Sequence, residues 1–580
     1  MKRELLLGNQ AIARGAWEAG VTFAAGYPGT PSTEILETLV HYPEVHARWS
    51  ANEKVAFEEG MGAALGGLRV LVTMKHVGLN VAADPFMVFP YAGTNGGFVV
   101  VSADDPGMHS SQNEQDNRYL ARMAKVPVFE PSDAQECKDF VRLGLEVSEE
   151  FQVPVMLRTT TRLAHHKGLT TLGERQEVPR RDFVPDARRL SVPIYRGLLR
   201  PKVEERLGRL RDYAETTPVN RVEDGDPRVG VVTSGISYLY VKEVLPRASV
   251  LRLGLTHPLP PRLLREFCAN HEVVYVVEEG EPFIEEYMRS LGITNLEGKE
   301  RFGVIGEYSP GRLAASLGLA RPAPDLGLEI KVLPRPPMFC VGCGHRTVFA
   351  ALRQLKVTVA GDIGCYTMGA LPPYEASHTT FCMGASIGTA VGLERAGRDP
   401  VVAVIGDSTF IHAGIPALID AVYNGSRLTL VILDNSTTGM TGGQPHPAAG
   451  RTLDGRPAPK LDLEAMCAAA GVQHVEVVDT WDRKGVVAAL RAALATPAPA
   501  VVIARGLCQQ LPEVKHSDRV PFQVDEILCT KCDACFKVWC PAIVRTELGF
   551  PFIRALECTA CTVCAQVCPV DAISATVVAA

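Results

Sequence analysis

Two cysteine runs close the chain, "CTKCDACFKVWCP" from Cys529 and "CTACTVCAQVCP" from Cys558. In the first, two residues separate Cys529 from Cys532 and Cys532 from Cys535, and four more precede Cys540. In the second, Cys558, Cys561, Cys564 and Cys568 are spaced by two, two and three. Three close thiolates wrap three irons of a cube, and the fourth ligand comes from the other run. One [4Fe–4S] cluster is thus expected on Cys529, Cys532, Cys535 and Cys568. A second is expected on Cys558, Cys561, Cys564 and Cys540, the extra residue before Cys540 being a departure from the usual spacing. Structural zinc, the alternative, prefers separated CxxC pairs to triplets. Such clusters only relay electrons, so a source is needed in the rest of the chain.

"PVVAVIGDSTF" is an apolar strand running into Gly406, Asp407 and Ser408, and "LTLVILDNSTTGM" is another ending at Asp434 and Asn435. In a parallel sheet both turns open where ligands bind. Gly406 lets backbone approach a phosphate, and the helix start that follows offers N–H groups. Asp407, Asn435 and the Thr437 carbonyl are hard oxygen donors suited to Mg²⁺. The pair resembles the GDG-through-Asn motif of thiamine diphosphate enzymes, with Ser408 and Ser436 as departures. Those enzymes hold the aminopyrimidine in a second α/β unit. A carboxyl group there protonates the ring so that the amine can deprotonate the thiazolium carbon. In "ANEKVAFEEGMGAALGG" Glu53 heads a helix, with Ala56, Gly62 and Ala64 at small-residue positions. Alone, Glu53 reads as an exposed acid at the positive end of a helix dipole, with Glu58 and Glu59 competing. Beside the Asp407 motif it becomes the candidate activator.

"GYPGTPSTE" follows the first strand, and Thr30 is expected to cap the next helix with Pro31 at its first position. Whether Thr30 also faces substrate stays open. Cys340 and Cys343 form a CxxC, Cys365 ends a predicted strand and Cys508 another. Strand ends converge, so these four thiols are candidates for a third [4Fe–4S] cluster; buried free thiols are the alternative. Cys137, Cys268, Cys382 and Cys467 fit no ligand spacing and read as structural.

The elements that must position these groups alternate between strands and helices, the pattern of parallel α/β units. With 580 residues the chain exceeds one core. Residues 1–175 carry strands at "GVTFAAGYPG", "LRVLVTMKH", "GGFVVVSADD" and "VPVMLRTT"; 176–225 is an Arg-rich connector. Residues 226–322 form a smaller α/β unit, 323–337 a Pro-rich linker, 338–512 a third α/β unit, and 515–580 the cysteine module. A net charge of −6 gives no nucleic-acid footprint. The amino-terminal apolar run is too short for a signal peptide and no run reaches spanning length. A cytoplasmic protein with reduced, cofactor-binding thiols is expected from its 16 cysteines.

Taken together, "YPGTPSTE", "TMKHVGLNVAADP", "SADDPGMHSSQNEQD", "GDIGCYTMGALPP", "CMGASIG", "MTGGQPHP" and the cysteine tail resemble the 2-oxoacid:ferredoxin oxidoreductases over nearly the whole chain. The likeness is strongest to the large subunit of the indolepyruvate branch. It implies a multidomain α/β thiamine-diphosphate-enzyme fold. Two parallel-sheet thiamine-binding units, of pyrimidine and diphosphate type, would flank a transketolase-C-terminal-like unit and precede a two-[4Fe–4S] ferredoxin domain. It implies thiamine diphosphate, Mg²⁺ and the clusters as cofactors, with Cys340, Cys343, Cys365 and Cys508 matching a cluster beside the thiamine. Gly384 of "CMGASIG" joins the cofactor-binding residues. The implied activity is oxidative decarboxylation of arylpyruvates such as indolepyruvate and phenylpyruvate with coenzyme A, reducing ferredoxin. A small gamma-type subunit is the implied partner in a heterodimer. Pyruvate-acting relatives carry an arginine where this chain reads "SADDPGMH". His76, His109 and Arg118 are then the candidates for the substrate carboxylate. Alternatives are a branched-chain oxoacid, non-oxidative decarboxylation, or a non-catalytic relay subunit.

Overall fold

Runs such as "VVAVIG" and "FVVVSAD" are β-rich and apolar at every position, as strands covered by helices on both faces must be. Each is buried along its whole length. Burying one Val or Ile contributes about 1.5–3 kcal/mol, so these strands anchor the sheets that carry the chemistry. The computed structural model describes residues 2–183, 185–186, 194, 196–319, 336–515 and 517–576. It falls into two compact units, Met1–Glu329 and Ile330–Ala580. Most of the expected Pro-rich linker and part of the 176–225 connector lie outside the described residues. Among the described residues, no helix is long and apolar enough to cross a membrane.

The first unit holds a seven-stranded sheet. Its order is Leu255–His257, Val128–Phe129, Val155–Thr160, Phe98–Asp104, Val70–Lys75, Phe23–Gly26 and His46–Trp49. All pairings are parallel except that of Leu255–His257 with Val128–Phe129. The stretch 226–322 therefore lends a strand to this sheet, besides forming one of its own around Val273–Val277, Asp226–Ser234 and Ala248–Leu253. The connector carries a long helix, Arg196–Thr216. The amino-terminal Arg3–Leu7 is a strand paired antiparallel with Lys167–Thr171, a pairing that no local pattern marks.

In the second unit the sheet order is Thr358–Ala360, Val401–Gly406, Thr429–Asp434, Ala500–Arg505 and His474–Asp479, all parallel. Strand Thr358–Ala360 ends well before Cys365, which instead opens a short 3₁₀ helix, Cys365–Ala370. Strand Ala500–Arg505 likewise ends before Cys508. Both cysteines lie beyond the strands and not at their ends, with glycines (Gly361 and Gly364, Gly506) following the extended runs. The cysteine module has two small antiparallel pairs, Phe522–Val524 with Ile573–Ala575 and Ile543–Arg545 with Pro551–Ile553. Its core is Cys535, Ile543, Ile553 and Ile573. The module is tied to the five-stranded unit by named contacts. Arg346 Nη2 donates to the Val538 carbonyl (3.3 Å), Gln566 Nε2 to the Trp481 carbonyl (2.8 Å), and Trp539 packs edge-on against Tyr374.

Candidate active site

Gly406 pairs with Leu433, so the turns after these two strands open side by side. Asp407 is buried. Its Oδ1 accepts from the Ser408 N–H (2.8 Å), and its Oδ2 from the N–H groups of Asn435 (3.2 Å) and Ser436 (2.8 Å). Burial pushes this carboxyl up, but His446 and the Ser408 and Ser436 amides outweigh it and hold it below the usual range. His446 Nε2 stands 3.3 Å from Oδ2, without the alignment of a hydrogen bond. Asp434, its neighbour, is committed elsewhere: Oδ2 accepts from Arg505 Nε at 2.7 Å. Asp407 is thus the carboxylate held ionised and aimed at the turn. Asn435 Oδ1 accepts from the Thr437 N–H at 3.1 Å, which brings Asn435 and Thr437 into the same turn. Carboxylate, amide oxygen and backbone carbonyl are the donors Mg²⁺ takes, so the residues fit a metal-bound diphosphate. Gly384 (φ +87°) lies in the left-handed region and donates its N–H to Asp362 Oδ1 at 2.8 Å. Asp362, buried, also accepts from the Ser386 N–H (2.9 Å) and so caps the helix Ala385–Arg395. Sequence reasoning missed Asp362 and His446, although both lie inside quoted motifs.

In the first unit, Glu53 is the first residue of helix Glu53–Leu65 and is 6% exposed. The isolated-acid reading had it exposed. Asn52 does the capping, its Oδ1 accepting from the Val55 N–H at 2.9 Å. Glu58 pairs with Lys54, and Glu59 accepts from Ser50 Oγ (2.8 Å), so neither competitor is aimed as Glu53 is. The helix packs through Gly60, where a Cβ would lie 2.6 Å from Val72; Gly62, expected in that role, faces open space. Gly78 makes room for the carboxyl: a Cβ there would stand 2.6 Å from Glu53 Oε1 and 2.8 Å from Cγ. Gly78→Ala should push the carboxyl off its position and lower kcat about 10- to 100-fold, the scale of a ~1 Å misplacement. Unchanged cofactor content with reduced kcat is the expected result.

Thr30 is not a cap. The helix runs Thr33–Leu39 with Ser32 before it. Thr30 and Pro31 are taken up in the turn closed by the Ser32 N–H on the Gly29 carbonyl (2.8 Å), with Thr33 Oγ1 accepting from the Gly29 N–H (3.0 Å). Thr30 remains half-buried on this turn, beyond strand Phe23–Gly26. Of the three carboxylate candidates, Arg118 is fully buried and donates to Asp116, Glu278 and the carbonyls of Glu279 and Glu281. His76 is buried with Nε2 3.2 Å from the Asn113 carbonyl, and exposed His109 lies 3.3 Å from Glu307.

The cysteines group by space. One void is lined by Cys529, Cys532, Cys535 and Cys568, another by Cys540, Cys558, Cys561 and Cys564. Each set takes its distant member from the other run. Among the described residues, no three His, Cys, Asp or Glu side chains close on a point as ligands of a single ion do. Rings of thiols around a void suit a cube better than a zinc. Burial, with Cys365, Cys340 and Cys508 adding to it, pushes the Cys343 thiol up to about 12, so these four are neighbours. They adjoin the metal turn: the Cys508 N–H donates to the Asn435 carbonyl (3.1 Å). The Cβ position of Gly439 lies 3.6 Å from Cys365 Sγ, 3.7 Å from Asn435 Nδ2 and 3.8 Å from Cys508 Sγ. A cleft lined by Cys343, Cys540, Cys561 and Cys564 connects this set with the module. Buried Cys137, Cys268 and Cys467 lie apart, and Cys382 is exposed.

Residues 14–193 match the family described as pyruvate flavodoxin/ferredoxin oxidoreductase, thiamine diP-bdg. Residues 362–504 match the thiamine pyrophosphate enzyme C-terminal TPP-binding domain, and 551–574 the 4Fe-4S binding domain. Over 613 aligned positions the chain is 42% identical to the indolepyruvate oxidoreductase subunit IorA of Archaeoglobus fulgidus, covering 99% of this chain and 97% of that one. The chain belongs to the IorA family. IorA of Pyrococcus abyssi is 41% identical over 98% of this chain and 96% of its own. The 2-oxoglutarate synthase subunit KorA of Methanocaldococcus jannaschii is 30% identical over only 31% of this chain and 51% of its own. As an IorA-family member the chain has the thiamine-enzyme α/β fold with a carboxyl-terminal 4Fe-4S domain. Its cofactors are thiamine diphosphate, with its Mg²⁺, and iron–sulfur clusters. Its chemistry is the oxidative decarboxylation of a 2-oxoacid.

Proposed function

We propose that this chain oxidatively decarboxylates arylpyruvates, indolepyruvate and phenylpyruvate, with coenzyme A as acyl acceptor and ferredoxin as electron acceptor. It would work in the cytoplasm with a small gamma-type partner subunit. The reaction balances as oxoacid anion, coenzyme A and two oxidised ferredoxins giving acyl-coenzyme A, CO₂, two reduced ferredoxins and a proton. The observation that carries the aryl reading is the near full-length identity to IorA proteins, against a likeness to KorA confined to under a third of the chain.

Bound thiamine diphosphate supplies the nucleophilic carbon and holds the electrons freed as CO₂ leaves. The residues of the chain serve it as follows. Asp407, Asn435 and the Thr437 carbonyl would hold Mg²⁺, while Gly406, Ser408 and Gly384 leave backbone close to the diphosphate. Glu53 would hold the proton at the pyrimidine nitrogen, and Thr30 would lie near the substrate. Cys340, Cys343, Cys365 and Cys508 would ligate the cluster nearest the metal turn. Cys540, Cys558, Cys561 and Cys564 would hold the next, with Cys529, Cys532, Cys535 and Cys568 holding the third. Three one-electron acceptors in series suit a two-electron donor better than a non-oxidative decarboxylase needs.

The test is turnover of indolepyruvate, phenylpyruvate, 4-methyl-2-oxopentanoate and pyruvate by the anaerobic complex with its small subunit. The aryl acids should give the highest kcat/KM; preference for an aliphatic acid would overturn the aryl reading. In the same preparation, Cys508→Ala should lose one cluster's worth of iron and slow reduction of the tail clusters. Unchanged iron would remove the third cluster from this account.

A further inference from the structure

With Arg118 spent on acids and His76 on a carbonyl, the cation for the oxoacid carboxylate must be sought elsewhere. Lys75 ends strand Val70–Lys75, between Phe23–Gly26 and Phe98–Asp104, at the middle of the carboxyl edge where such sheets bind ligands. Its stem lies over Gly29, whose Cβ position is 3.0 Å from Lys75 Cβ and 3.8 Å from Cδ. A side chain there would force the stem to give way, and the next residue is Thr30. Three residues past Lys75, Gly78 abuts the Glu53 carboxyl. Lys75 thus touches the turn that carries Thr30 and lies three residues from the glycine that abuts Glu53. Its Nζ donates to the Ser110 carbonyl. Among the described residues no carboxylate lies within 4.0 Å of it, unlike buried Lys138, which holds Glu18 at 2.9 Å. The nearby acid, Asp105, is already engaged. Its Oδ2 accepts from Ser110 N–H (2.8 Å) and Ser111 Oγ (2.5 Å), and its Oδ1 from Thr161 Oγ1 (2.6 Å). An ammonium has three donors, and one is used. A nearly buried cation with uncommitted donors at a ligand-binding edge is costly unless something anionic completes it.

We infer that Lys75 receives the carboxylate of the 2-oxoacid substrate, orienting the keto carbon beside Thr30. The inference rests on reading the chain as a 2-oxoacid oxidoreductase but not on the aryl specificity, because every 2-oxoacid carries this group. Burial lowers the Lys75 ammonium to about 8, with Asp105 opposing. The charged group acting on it is Asp105, from the loop after Phe98–Asp104. The cation is present below that value and is lost as pH rises through it, so kcat/KM should fall above pH about 8.

The test uses the holoenzyme complex with its small subunit, carrying Lys75→Met or Lys75→Arg. Each is assayed on whichever of phenylpyruvate, 4-methyl-2-oxopentanoate or pyruvate the wild type turns over fastest. Lys75→Met should raise KM roughly 10- to 100-fold, the scale of a lost charge-assisted hydrogen bond. It should lower kcat much less, with thiamine and iron contents unchanged. Lys75→Arg should recover part of the affinity and abolish the fall above pH 8. An unchanged KM in Lys75→Met, or equal losses in both variants with a lowered Tm, would reduce Lys75 to a strut for the Ser110 loop and overturn the inference. Preference for an aliphatic acid would contradict the aryl reading alone and leave the Lys75 comparison intact.

Discussion

Glu53→Gln lowers kcat by roughly 10²- to 10⁴-fold, the contribution of a positioned proton-transfer group, while leaving KM for the oxoacid close to the wild-type value. The substitution is nearly isosteric, so the clearance at Gly78 and the Asn52 cap are untouched. What changes is the capacity to hold and release a proton at the pyrimidine nitrogen. Thiamine diphosphate and iron contents should therefore match the wild type, and the loss should appear in deuterium exchange at the thiazolium carbon as much as in turnover. A kcat within twofold of wild type, at full cofactor content, would take Glu53 out of the mechanism. The geometry argues against that outcome. Glu53 is buried at the head of its helix, the capping is done by Asn52, and its carboxyl lies against Gly78.

Asp407→Asn should weaken Mg²⁺-dependent retention of thiamine diphosphate by at least ~100-fold. Outer-shell partners of metal ligands cost 10- to 100-fold when replaced, and a charged ligand in direct contact must cost no less. The amide keeps the shape but turns one acceptor into a donor that faces the N–H groups of Asn435 and Ser436. Equilibrium dialysis with and without Mg²⁺ reads this directly. The five parallel strands beneath do not depend on the side chain, so the variant should fold. Its iron content, held by cysteines in separate loops, should persist. Equal thiamine affinity in both proteins would show that the metal is held elsewhere.

The chemistry was legible in the sequence wherever spacing along the chain dictates spacing in space. The Cys529 and Cys558 runs are local, and so are the strand–Gly–Asp and strand–Asp–Asn junctions at 406–407 and 434–435. Gly62 and Gly60 show the limit of pattern reading: both sit in a small-residue run, and only packing against Val72 tells which one matters. Thr30 failed as a cap because the turn at Gly29–Ser32 delays the helix, a tertiary choice that overrides the Thr-Pro signal. Cys365 and Cys508 reached one neighbourhood from beyond the strands predicted to end on them, which stop earlier. Partners distant in sequence were not readable: Arg3–Leu7 with Lys167–Thr171, His446 beside Asp407, and Lys75 crossing Gly29 toward the Ser110 loop.

The most direct measurement is anaerobic stopped-flow bleaching of the iron–sulfur absorbance after oxoacid and coenzyme A are mixed with the complex. It would be run on protein stripped of thiamine diphosphate and on the same protein after thiamine diphosphate and Mg²⁺ are restored. The stripped protein should keep its colour, and the restored protein should bleach at the rate of turnover. Bleaching at equal speed in both would mean that the electrons reach the cysteine-held clusters by a route that owes nothing to Asp407, Asn435 or Glu53.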